Sequence, residues 1–170
     1  MFGFFRQKDE FSCGPIAILN AVRWASRRKR IDKLRILVNA VCQCFTDGTP
    51  HTIFNVLLRQ IGRITNLYKV VKFSKKNSVN IQAIDSHIHR GGCIVVSSYV
   101  DYGCSKDGHY YLVTAISGKR KPRYLAINYE DGRIATWITR KHLLKNLERV
   151  DKSVDWPAVW FLSRRVNADN

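Results

Sequence analysis

Gln7, Cys13 and His109 are residue types that can act together as a nucleophile, its base and an oxyanion donor. The chemistry would be attack of a thiolate on a carbonyl carbon. Cys13 ends the polar stretch Gln7-Lys8-Asp9-Glu10-Phe11-Ser12 and opens Gly14-Pro15-Ile16-Ala17-Ile18-Leu19-Asn20-Ala21-Val22. Ser12 suits the position that caps a helix, and Pro15 suits an early helical position where no backbone N–H is needed. Ile16, Leu19 and Val22 recur at helical spacing, which predicts a helix over 13–28 with one buried face. A thiol on the first turn meets unpaired N–H groups and the positive end of the helix dipole, and both favour thiolate. Gln7, six residues upstream, carries an amide that can donate to an oxyanion beside the sulfur. A lone cysteine is commonly just a small buried hydrophobe. The flanking glutamine and the Cys-Gly-Pro turn favour the reactive reading.

A thiol nucleophile needs an imidazole that takes its proton and a neighbour that holds the ring. The chain offers His51, His87, His89, His109 and His142. His51 falls in the first turn of an expected helix and reads as solvated surface. His87 and His89, two apart, cannot share a helical face. His142 sits in a basic surface helix. His109 alone follows a glycine, heads an apolar strand and ends a polar loop, so it is both firmly held and reachable.

Gln-x5-Cys-Gly-Pro opening an apolar helix resembles the nucleophile motif of papain-like cysteine peptidases, closest to the bacteriocin-leader peptidase group. The resemblance implies the order Gln, Cys, distant His, then Asp or Asn. It implies an α+β, papain-like fold: an N-terminal helical layer, with the nucleophile helix packed on a C-terminal antiparallel sheet. It implies no cofactor and a peptide or protein substrate. The family's third residue lies at the far end of the strand after the histidine, which here is Asn128, nineteen residues beyond His109. The leader-peptidase relatives more often carry Asp followed by Pro, whereas this chain reads Asn128-Tyr129-Glu130-Asp131. Asparagine serves in papain itself, as an orienting group without charge. Asp131 is the alternative if the hairpin bends back. Papain-like cores also serve as acyltransferases, transglutaminases and isopeptidases on the same residues.

The elements that must carry these groups follow from periodicity. Ile31, Leu34, Leu37, Val38 and Val41 predict a second helix to about Cys44, and Ile53, Phe54, Leu57, Leu58 and Ile61 a third, ended by Gly62. From Leu67 strands prevail: 68–73, 93–99, 109–116, 123–129, 134–138 and 158–162. The run from Cys93 to Tyr99 is apolar enough for a central strand covered on both faces. Between the strands lie a helix outlined by Val79, Ile81, Ile84 and Ile88 and a short helix capped by Thr139. Helices first and hairpins after is an α+β layout in one domain, 1–170.

Composition sets the remaining bounds. Hydrophobic residues at 45% and aromatics at 11% give enough apolar surface for a folded core rather than a disordered chain. No apolar run approaches the ~18 residues of a membrane span. The N-terminus has no basic leader or small-residue cleavage site, which points to an intracellular protein. Five cysteines at irregular spacings make no disulfide framework, and Cys42-x-Cys44 lacks the second half of a zinc knuckle. The 29 Lys and Arg against 13 Asp and Glu leave a net +16, a balance that attracts polyanions. The cations are dispersed: Arg27-Arg28-Lys29-Arg30, Lys75-Lys76, Lys119-Arg120-Lys121 with Arg123, and Arg164-Arg165. That favours non-specific attraction to nucleic acid over a reading head. It also leaves open a basic, nucleic-acid-associated structural protein, as in a virus particle, built on a peptidase scaffold.

Overall fold

The computed structural model describes residues 4–7, 12–26, 50–65, 67–74, 80–101, 106–129, 133–148 and 157–164. The expected helix from Ile31 to Cys44, the four-cation run at 27–30 and Asp131 lie outside them. The described elements are α1 (Cys13–Ser26), α2 (His51–Ile64), β1 (Leu67–Ser74), α3 (Ile81–His89), β2 (Cys93–Asp101), β3 (Lys106–Ser117), β4 (Arg123–Ile127), β5 (Ala135–Thr139), α4 (Arg140–Glu148) and β6 (Ala158–Arg164). No helix among the described residues is long and apolar enough to cross a membrane.

The chain is α+β. Its strands form one sheet in the order β1-β6-β2-β3-β4-β5, with every neighbouring pair antiparallel. Side chains alternate between the two faces of a strand, and here the alternation splits the core in two. Cys93, Val95, Tyr110, Leu112, Trp160 and Leu162 pack on one face with α1 and with Phe54, Leu57, Leu58 and Ile61 of α2. Ile94, Val96, Tyr111, Val113, Val159 and Phe161 pack on the other with Ile84 and Ile88 of α3 and Leu143 of α4. Cys93 to Ser98 are therefore all buried, as expected of a strand covered on both sides.

The expectation of an N-terminal helical layer against a C-terminal sheet needs correction. Helices cover both faces, and β1, from the N-terminal half, is an edge strand paired with β6 at the C-terminal end. Sequence periodicity gives the buried stripe of a helix but not which sheet face receives it, and α3 lies opposite α1 and α2. A second correction concerns Gly62. It lies inside α2 rather than ending it. A Cβ there would stand 3.0 Å from Leu67 O, so this glycine serves the close approach of α2 to β1. Among the described residues the positive-φ glycines are Gly91, just past α3, and Gly118 in the β3–β4 turn, which a side chain would strain.

Side chains cap the starts of α3 and α4, the second at the Thr139 expected from the sequence. Asn80 caps α3, its Oδ1 accepting from Gln82 N at 2.8 Å. Thr139 Oγ1 accepts from His142 N at 3.2 Å at the start of α4.

Candidate active site

Cys13 is the first residue of α1 and is 4% exposed. Ile16 N donates to Ser12 O at 2.9 Å, closing the first helical turn around the cysteine. Buried Ala17, Ile18, Ala21, Val22 and Ala25 fix α1 to the first sheet face. Cys13 belongs to the same apolar cluster as Tyr110 of β3. Burial pushes the Tyr110 phenol well above its ordinary range, and the nearby Cys13 raises it further.

His109 precedes Tyr110 on β3, opposite Ser98 of β2. Its ring is 8% exposed, and Nε2 donates to Asn128 O at 2.5 Å. A carbonyl oxygen only accepts, so this contact puts the proton on Nε2 and, in the neutral ring, leaves Nδ1 as the nitrogen that can take a proton. The ring lies 6.4 Å from that of Tyr111, at 18° to it. Tyr111 points to the second sheet face. The β3–β4 register ends at Leu112 and Ile127, so His109 stands on the stretch of β3 past that pairing. Ser98 Oγ beside it is buried and has no hydrogen-bond partner among the described residues.

Asn128 is where the expected third residue meets the structure in an unexpected way. It is 6% exposed and has φ 55°, the left-handed region that asparagine tolerates better than most residues. Its main-chain carbonyl holds His109, whereas its side-chain Nδ2 donates to Phe5 O at 2.7 Å. The ring is therefore fixed by the backbone that the left-handed turn presents, and the amide performs a different task. Sequence reasoning assigned the orienting role to the side chain because strand order gives the residue but not which of its atoms faces the ring.

The task of that amide becomes clear at Phe5. Asn20, fully buried in α1, clamps the same peptide: Phe5 N donates to Asn20 Oδ1 at 2.7 Å, and Asn20 Nδ2 donates to Phe5 O at 3.0 Å. The Arg23 guanidinium lies 4.9 Å over the Phe5 ring. Phe5 O thus joins α1 to the end of β4, and half-buried Gln7 follows two residues later on the same strap. One chain of contacts, Asn20–Phe5–Asn128–His109, links the nucleophile helix, the strap bearing Gln7 and the carbonyl that sets the histidine tautomer. Asn20 was missed in the sequence, where an Asn on an apolar helix face gives no sign of its partner.

His51 also departs from expectation. It opens α2, but it is half-buried rather than solvated. Its Nε2 is 2.8 Å from Ser97 Oγ, and its ring meets Trp160 edge-on at 5.2 Å and Tyr110 at 6.1 Å. Phe54 stacks on Tyr110 at 4.6 Å, and Trp160 Nε1 donates to Asn55 Oδ1 at 2.9 Å. These groups pack around the phenol that neighbours Cys13. His89 and His142 are exposed.

Neither Cys13 nor Cys93 is in a disulfide, and burial holds the Cys93 thiol well above its ordinary pKa. Cys42, Cys44 and Cys104 lie outside the described residues. Among those described, no three His, Cys, Asp or Glu side chains are grouped to hold a metal ion. Comparison of the chain with models of known protein families gives no match, and neither does comparison with curated proteins.

Proposed function

We propose that the protein is a cysteine peptidase of papain-like type, with Cys13 as nucleophile and His109 as its base. The observation that carries this reading is the Nε2 contact of His109 with a peptide carbonyl. It leaves Nδ1 to accept a proton. The reading requires Cys13, at the positive end of α1, and His109, on the stretch of β3 beyond its pairing with β4, to come together there.

In the reaction, Nδ1 of His109 takes the Cys13 proton. The thiolate forms a C–S bond to the scissile carbonyl, whose π electrons move onto oxygen. Cys13 N–H and the Gln7 amide hold that oxyanion. Collapse breaks the C–N bond, and His109 protonates the leaving amine. Water then gives a proton to His109, its hydroxyl adds to the thioester carbon, and the C–S bond breaks to restore the thiol. Asn128 O holds the imidazole throughout, and Phe5 with Asn20 holds Asn128.

The test is peptide-library turnover followed by mass spectrometry, with wild type beside Cys13→Ala. Cleavage by wild type alone, with a mass adduct on Cys13 in trapped intermediates, is the expected result. Equal cleavage by Cys13→Ala overturns the assignment. Alkylation by iodoacetamide gives a second readout: Cys13 should react at about pH 5–6, well below the ordinary thiol pKa of ~8.5. Cys93 should react only after unfolding.

A further inference from the structure

The end of the sheet farthest from β1 carries a surface that peptidase chemistry does not use. Residues 108–147 contain eight Lys or Arg against two acidic residues, Glu130 and Asp131. They include β4, β5, the turn before them and most of α4. β5 is the terminal strand of the sheet. Its residue Trp137 is 44% exposed, and Ile134 just before the strand is 42% exposed. Trp137 pairs with Leu125, and Arg123 pairs with Thr139. By strand alternation Arg123, Leu125, Ala135 and Trp137 share one face. Lys119, Arg120, Lys121 and Arg123 are exposed at one end of this ribbon, Lys141 follows on α4, and Arg133 is exposed at the other end. Arg140 is already engaged with Asp85 and Tyr124 on the opposite face.

Edge strands commonly carry cations to block pairing with other strands. That role accounts for the charge but not for an indole and an isoleucine laid open beside it. We infer that the β4–β5 ribbon is a binding surface for single-stranded nucleic acid, with Trp137 as a stacking platform beside the phosphate-binding cations Lys119, Arg120, Lys121 and Arg123. A five-residue strand spans about 17 Å. A strand of nucleic acid laid along it places phosphates near these cations and an unstacked base on the indole. A duplex keeps its bases stacked and meets only the cations, so the exposed indole selects single strands. This surface is independent of the peptidase reading and requires neither Cys13 nor His109.

Fluorescence anisotropy of the full chain with a labelled thymidine oligonucleotide tests it, with an equal-length duplex and poly-glutamate as competitors. Trp137→Ala should weaken single-strand binding about tenfold, as loss of one stacked base does, and leave the salt slope unchanged. Trp137→Phe should recover most of that loss. Lys121→Gln with Arg123→Gln should flatten the slope of log K against log salt by about 1.4, at ~0.7 per phosphate contact. Unchanged affinity in Trp137→Ala overturns the proposal. So does poly-glutamate or duplex competing as well as the single strand, which makes the surface a general cation patch. All three substituted positions are exposed, and circular dichroism of each variant checks that the fold is retained.

Discussion

His87 and His109 are both buried, at 8% exposure each, and both bind backbone carbonyls through Nε2. Their surroundings separate them. His87 Nε2 faces two carbonyls, Leu162 O at 2.9 Å and Cys93 O at 3.2 Å. Its ring packs on Phe161 at 4.9 Å. A Cβ on Gly92 would stand 2.2 Å from that Nε2, so the backbone presses directly on the imidazole. His109 Nε2 meets the Asn128 carbonyl, and the residue stands past the end of the β3–β4 register. A buried histidine held by a carbonyl is therefore no sign of chemistry by itself. What distinguishes a base is where its remaining nitrogen leads.

The largest expected effect is a crossed pair of substitutions. His109→Ala should lower turnover by about 10²–10⁴, the usual weight of a general base, with a small change in melting temperature. His87→Ala should do the reverse. It opens a cavity and strips two buried carbonyls of their donor, at a cost of about 2–4 kcal/mol, while the folded fraction keeps its kcat. Thermal unfolding and turnover on the same samples decide the matter. If both variants lose activity and stability in parallel, the contrast between the two sites is wrong.

Gly92→Ala sharpens the structural half of the comparison. The methyl group would have to displace a ring that two carbonyls hold, so overpacking should cost about 1–3 kcal/mol. Because β2 runs directly from Gly92 into Cys93, the damage should appear in denaturant midpoints. Iodoacetamide labelling of Cys13 across pH should keep its wild-type profile in the folded variant.

Asn128 probes the other half at lower amplitude. Its φ of 55° suits glycine, so Asn128→Gly should retain the carbonyl contact with His109 and lose only the Phe5 bond. Asn128→Val adds a branched side chain in left-handed backbone, a strain of about 1–2 kcal/mol. Turnover should therefore fall more in the valine variant than in the glycine one. The opposite order would return the orienting role to the side-chain amide.

The same residue shows how far the sequence could be read. Asn128 is singled out by the family resemblance alone, whereas Cys13 at a helix start and His109 on a strand follow from short-range patterns, because caps, glycines and apolar periods act over a few residues. Six strand segments and the start of α4 were legible for the same reason. What could not be read was decided by distant partners. Asn20 and Phe5 are 15 apart, and Asn128 and Phe5 are 123 apart. His51 reads as surface until Ser97, Tyr110 and Trp160 arrive around it from three strands. Gly62 looks like a stop signal, since nothing nearby in sequence announces the carbonyl of Leu67.

The smallest expected effect lies on the second face, away from Cys13, and concerns stability alone. Tyr124 Oη donates to Asp85 Oδ1 at 2.6 Å and accepts from Arg140 Nε at 3.3 Å. Burial first, and then the bond to Asp85, push its pKa up from 10 to about 12. Below about pH 10 the phenol is protonated in both folded and unfolded chains, so its contribution is fully present and constant. Between about pH 10 and about pH 12 the unfolded chain loses the proton while the folded one keeps it, and stability falls as pH rises. Denaturant midpoints across this window should therefore drop more steeply in wild type than in Tyr124→Phe, which has no proton to lose there. Tyr110 and Tyr111, also raised by burial, contribute equally to both proteins and leave the difference to Tyr124. Parallel slopes would mean that Tyr124 titrates alike in the folded and unfolded chains, and that the Asp85–Tyr124–Arg140 contacts do not hold its proton.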